Sequence, residues 1–153
     1  MGTQQVNLLL NELGEKLNIP NLRLSETGDC TLKLKSSAVP LINLAYAAPE
    51  DCLVFFTEIG HIPEERLAEF LKFFLARNLF WLDEKGSVFA FSPERETLVL
   101  QRREDMAQLT VTLLEERLNL FMESAFNARK KLFLADDEAR LADNEIPPAG
   151  LRV

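Results

Sequence analysis

Few side chains in this 153-residue chain are equipped for chemistry, and their spacing sets none of them to work together. His61 is the single histidine, next to Gly60 and two residues before Pro63. No nucleophile and orienting acid are legible around it, so a capping or surface role fits it better than general-base work. Cys30 and Cys52 form no CxxC pair and join no His/Cys cluster. They read as reduced, at least partly buried thiols. Carboxylates come in runs, Glu64-Glu65, Glu115-Glu116 and Asp136-Asp137-Glu138. Adjacent acids on a helix point in different directions, so they make neither an acid/base pair nor a metal cage. Phosphate-cradling GxxxxGK[ST] and GxGxxG loops are missing from the sequence. No catalytic, metal or cofactor site is expected, and the chain is not read as an enzyme.

What remains is surface. Hydrophobic residues make up 47% of the chain and charged residues 27%, an ordinary globular balance and enough for one domain with a sizeable core. The formal net charge is −7 and the pI about 4.8. An acidic protein repels phosphate backbones and anionic lipid heads, which argues against nucleic acid and membrane as primary partners. The basic spots Arg102-Arg103 and Arg129-Lys130-Lys131 are short and offset by nearby acids. No apolar run approaches the roughly 18 residues of a membrane span, and the first residues do not read as a signal peptide. A soluble, cytoplasmic protein is the expectation.

The elements that would build such a surface follow from periodicity. Val6, Leu9, Leu10, Leu13 and Leu17 share one helical face over Gln4–Leu17, with Thr3 as a plausible N-cap and Pro20 past the end. Leu8 lies beside that stripe. Asp29 to Lys35 alternates as a half-buried strand, Val39 to Tyr46 reads as a second strand with Pro40 marking an edge or a start, and Leu53–Ile59 reads as a central third. Their short connections, such as Ala48-Pro49-Glu50-Asp51, imply antiparallel pairing. A second helix starts near Pro63-Glu64-Glu65 and buries Leu67, Phe70, Leu71, Phe74 and Leu75. Phe73 and Leu79 widen its apolar arc beyond what one packed stripe needs, which points to a second contact surface. Strands over Ser87–Phe91 and Thr97–Arg103 follow, then a helix from about Gln108 to Leu134. The expected fold is α+β, helix-strand-strand-strand-helix-strand-strand-helix, a twisted antiparallel sheet packed by helices. Residues 1–134 form the single domain; residues 135–153, acidic and then Pro-containing, are expected to be a mobile tail in which Ile146 and Leu151 are the apolar residues.

Several segments, taken in order, resemble the class I type III secretion chaperones of the Tir chaperone (CesT-like) family. Leu8 to Leu24 resembles that family's first helix and entry to the sheet, and Gly28-Asp29-Cys30-Thr31-Leu32 its first strand. Thr57-Glu58-Ile59-Gly60 with Pro63 resembles the turn into its second helix. Leu75 to Trp81, Gly86 to Phe91 and Leu98 to Arg102 complete the pattern, which spans roughly residues 4 to 134. The resemblance implies a homodimer in the bacterial cytoplasm that binds the N-terminal region of one or more secreted effectors and keeps it non-globular without ATP hydrolysis, with the secretion apparatus as a further partner. It implies dimerisation through the second helix and its neighbours, here Phe70, Phe73, Phe74, Leu79, Phe80 and Trp81. Client capture by strand addition beside the first helix would draw on Leu8, Leu24, Leu32 and Leu34. The alternatives are a regulator that sequesters another secretion-control protein on the same scaffold and, more remotely, a small ligand-binding domain or enzyme.

Overall fold

The computed structural model describes residues 2–33 and 41–145, with side-chain surroundings up to 134. Helix α1 spans Thr3–Leu17, and three strands follow: β1 (Asp29–Leu32), β2 (Ile42–Ala47) and β3 (Cys52–His61). Helix α2 covers Leu67–Arg77, the β4–β5 hairpin runs over Val88–Ser92 and Thr97–Asp105, and α3 covers Val111–Glu145. The strands form one antiparallel sheet in the order β1-β2-β3-β5-β4, so the long β3 is central and β1 and β4 are the edges. This is the α+β arrangement and element order expected from the sequence.

Alternation decides which face of the sheet is covered. Leu53, Phe55, Thr57 and Ile59 of β3 are buried while Val54, Phe56 and Glu58 are only partly so. The buried set meets the helices: Phe55 packs edge-on against Phe121 of α3 at 5.9 Å, and Phe89 of β4 against Phe74 of α2 at 4.7 Å. Val6, Leu10 and Leu13 of α1 complete this core from their own apolar stripe.

Several boundaries differ from the expectation for identifiable reasons. Thr3 is the first helical residue, not the cap; Gly2 precedes it in a positive-φ conformation and no side chain caps the helix. At the other end Asn18 adopts the left-handed conformation and Ile19 N–H bonds to Gly14 O at 2.8 Å, a turn that satisfies late carbonyls and redirects the chain towards Pro20. A Cβ on Gly14 would lie 2.6 Å from Ile19 O, so only glycine lets the chain fold back this closely. Strand β1 ends at Leu32 and β2 begins at Ile42; Leu34, Val39 and Pro40 lie outside the described residues. Pro63 caps a 3-10 turn over Glu64–Arg66 that leads into α2. Helix α3 does not stop near Leu134 but runs to Glu145, so the first part of the expected tail is helical. Ala135, Glu138, Ala139, Arg140, Leu141 and Ala142 are good helix formers, and the first proline after them is Pro147. Residues 146–153, with Ile146 and Leu151, lie outside the described residues.

Candidate functional site

The residues singled out for chemistry stay apart. His61 is exposed, 3.9 Å from Glu96 across solvent-facing side chains. Burial pushes the Cys30 thiol above its ordinary pKa, which keeps it protonated and a poor nucleophile at neutral pH. Among the described residues, no three His, Cys, Asp or Glu side chains come together as a metal site.

The sheet edges carry more information. In β1, Gly28 O accepts from Tyr46 N–H, and the register pairs Cys30 with Leu44 and Leu32 with Ile42. Antiparallel alternation therefore turns the backbone of Asp29 and Thr31 outward. Ser25 occupies both outward groups of Asp29: its N–H donates to Asp29 O at 2.7 Å and its Oγ accepts from Asp29 N–H. The Ser25 and Thr27 hydroxyls also donate to the Asp29 carboxylate and hold its pKa below the ordinary value. Thr31 is thus the one β1 residue that presents both backbone groups outward with no partner among the described residues. At the other edge, Asn78 performs the blocking. Its Oδ1 accepts from Phe89 N–H at 2.7 Å and its Nδ2 donates to Phe89 O at 2.9 Å.

Beside the open part of β1 lies an apolar pocket of about 410 Å³. Leu13, Leu17 and Ile19 form one wall, Leu32 and Ile42 the floor, and Leu118 and Met122 of α3 the other wall. Lys16 and Glu115 bridge the two helices at 3.0 Å across its rim. Of the three expected groove residues that are among the described ones, Leu8, Leu24 and Leu32, only Leu32 lines the pocket. Leu24 is buried at 6% exposure, with its N–H held by Asn7 Oδ1 at 2.8 Å. Leu8 is 65% exposed in a separate open hollow with Asn7, Asn11, Leu22 and Arg23. Leu34 lies outside the described residues.

The six aromatic and aliphatic residues expected at a dimer contact divide in two. Phe70 and Phe74 are each 1% exposed and belong to the protomer core. Phe73, Leu79, Phe80 and Trp81 are exposed, and Leu75 and Leu82 join them. Phe80 and Trp81 both hold positive φ, a conformation side chains rarely adopt. Their turn is fastened from beneath. Buried Glu84 accepts from Arg77 Nε at 2.5 Å, Trp81 O accepts from Gly86 N–H at 3.0 Å, and buried Arg102 donates to Lys85 O at 2.6 Å. The polar underside holds an apolar outer surface in place.

Residues 8–129 match the family model for the Tir chaperone protein (CesT) family. The chain belongs to the CesT family. No curated protein matches the chain in sequence. Among solved structures, the crystal structure of the ExsC–ExsE complex contains a chain of 21% identity and TM-score 0.73, covering 84% of this chain and 94% of its own length. The Yersinia pestis type III secretion chaperone SycH, in complex with a stable fragment of YscM2, shares 18% identity at TM-score 0.63, covering 80% and 98%. The heterodimeric ExoU–SpcU complex from the type III secretion system of Pseudomonas aeruginosa contains a chain of 19% identity at TM-score 0.60, covering 82% and 95%. The CesT match takes in the β1 edge, the pocket and the fastened turn, and ends at Arg129, well before the end of α3.

Proposed function

We infer that this CesT-family protein is a type III secretion chaperone. It binds the N-terminal region of one or more effectors in the bacterial cytoplasm and keeps that region non-globular and secretion-competent, without ATP hydrolysis and without an enzymatic site. The observation that carries this reading is the outward backbone of Thr31, without a partner among the described residues, beside the apolar pocket at Leu32 and within the family match. An extended client gains main-chain hydrogen bonds at Thr31 and places alternate apolar side chains in the pocket. The acidic chain favours client segments rich in Lys and Arg. The exposed set Phe73, Leu79, Phe80 and Trp81, backed by the buried Phe70 and Phe74, is the reading for the homodimer contact.

The test has two stages. Partners co-purified from the native bacterium are identified by mass spectrometry, and their N-terminal segments are then titrated calorimetrically against wild type and Met122→Arg, which puts a charge into the pocket wall. The expected outcome is a secreted protein whose bound segment stays protease-sensitive, protects the Thr31 and Leu32 amides from exchange, and binds Met122→Arg at least about tenfold more weakly. A small regulatory protein in place of a secreted one would move the reading to sequestration. A partner bound equally well by Met122→Arg would remove the pocket from it.

A further inference from the structure

The second half of α3 carries a pattern that the client site does not use and that adjoins the α2 contact where Lys131 lies over Phe73. Leu132 is the last described residue buried against the core, at 1% exposure. Phe126, Phe133 and Leu134 stand out at 37%, 44% and 56% on the same helix. Around them the sequence is a mirror with inverted charge. Arg129-Lys130-Lys131-Leu132-Phe133 is followed by Leu134-Ala135-Asp136-Asp137-Glu138. Reflected about the 133/134 bond, Arg129 meets Glu138, Lys130 meets Asp137, Lys131 meets Asp136, and Phe133 meets Leu134. The same reflection takes Phe126 to Leu141.

One helix cannot satisfy this pattern by itself. Side chains pair along a helix at spacings of three or four residues. From Arg129, Lys130 and Lys131 those spacings reach Leu132, Phe133, Leu134 and Ala135 in one direction and Ala125, Phe126, Asn127 and Ala128 in the other, none of them acidic. On the acidic side Arg140 is the single cation at such a spacing, too few for three carboxylates. Within the chain the cations settle on aromatic rings instead. Lys130 Nζ lies 5.5 Å from the Phe126 ring, and the Arg129 guanidinium lies 4.6 Å from Phe133 while donating to Ile59 O at 2.8 Å. Lys131 Nζ lies 4.7 Å from Phe73 of α2.

Two identical helices packed antiparallel across a two-fold axis read a sequence against its own reflection. We propose that this stretch of α3, centred on Phe133 and Leu134, is a self-complementary surface that binds the same stretch of a second copy of this chain. Helical spacing puts positions 126, 130, 133, 134, 137 and 141 on one side of the helix. The contact therefore places apolar positions against apolar ones at 126/141 and 133/134, with Lys130 opposite Asp137 of the other copy. It is centred on a different element from the α2 surface, adjoins it where Lys131 lies over Phe73, and is tested separately.

The test uses the full chain, mixed as unlabelled and ¹⁵N-labelled protein and coupled with a zero-length carbodiimide, which joins a lysine only to a carboxylate in direct contact. Mixed-isotope crosslinks from Lys130 or Lys131 to Asp136, Asp137 or Glu138 are expected. Sedimentation equilibrium should show Lys130→Glu weakening self-association about tenfold, because each symmetric contact contains the pair twice. Lys130→Glu combined with Asp137→Lys should return to within about threefold of wild type. Circular dichroism reports whether the helix persists in each variant. Single-isotope crosslinks alone, or a double variant no stronger than the single, overturn the proposal. A wild type that self-associates without mixed-isotope crosslinks overturns it while leaving the α2 reading intact. If Leu82→Asp on the α2 side still gives those crosslinks, the α3 contact survives the loss of the other.

Discussion

Truncating Phe74 and truncating Leu82 should damage two different equilibria. Phe74 is 1% exposed, packed 4.7 Å from Phe89 and edge-on to Phe73 at 5.0 Å. Phe74→Ala removes most of a buried ring from a site that can only partly collapse, a loss of about 3–5 kcal/mol. For a domain of this size each kcal/mol moves Tm by roughly 2–4 °C, so a fall of roughly 6–20 °C is expected. Leu82 is 73% exposed, and Leu82→Ala should leave the protomer's own stability within about 0.5 kcal/mol. In a two-fold contact the lost methylenes count twice, which at incomplete burial amounts to about 2–4 kcal/mol, or roughly 30- to 1,000-fold in Kd. Sedimentation equilibrium and thermal unfolding at one matched protein concentration separate the two effects. If Phe74→Ala dissociates the protein without lowering Tm, or Leu82→Ala leaves Kd unchanged, the division of this surface into buried support and exposed contact is wrong.

Three further outcomes follow from the same geometry. Thr31→Pro removes an outward N–H and no ladder bond, so client binding should fall about tenfold or more in calorimetry while the circular dichroism spectrum is retained. Asp29 has a lowered pKa because the Ser25 and Thr27 hydroxyls donate to its carboxylate. The stability it contributes is present above the ordinary value of 3.8 and lost as pH falls through the depressed value; an NMR titration should place its midpoint below 3.8, and Ser25→Ala should move it back up. Gly86 sits at φ +101, with an added Cβ 3.1 Å from both terminal nitrogens of Arg102, so Gly86→Ala should cost about 1–3 kcal/mol in urea unfolding.

Local periodicity carried much of the architecture. The stripe of Val6, Leu10 and Leu13, the β-branched and aromatic run of β3, and the Pro63-Glu64-Glu65 entry to α2 are each short-range signals, and each element lies where they put it. What periodicity could not separate was a side chain facing the core from its neighbour facing a partner. Phe73 and Phe74 are adjacent and equally apolar, yet one is 36% exposed and the other 1%, because only the rotational setting of α2 against β4 decides. The pocket was missed for a related reason. Its walls come from α1, the α1–β1 connection and α3, which meet only in three dimensions, although Leu17 at the end of its stripe and the Asn18-Ile19-Pro20 stop pointed to an apolar helix end. The length of α3 was hidden by composition: an acidic stretch read as a tail, while its alanines and Leu141 continued the helix.

The two blocked positions in the sheet bear on how the proposed labour divides. Asn78 uses both of its amide groups on Phe89, so a strand approaching β4 meets a satisfied backbone there and the aromatic turn beside it. Phe91, the other β4 residue that the register turns outward, has no such partner among the described residues, so the edge is blocked at Phe89 alone. At β1, Ser25 closes Asp29 while Thr31 has no backbone partner among the described residues, so a strand approaching here finds main-chain partners over a short window and a pocket adjoining Leu32. Main-chain pairing tolerates varied sequences, and the pocket asks only for an apolar residue on the inward side of the client. On the proposed reading, the exposed side chains of the α2 turn serve the second copy and the β1 backbone beside the pocket serves the client. On that reading one chaperone accepts more than one client at β1 without altering the surface proposed to pair its subunits.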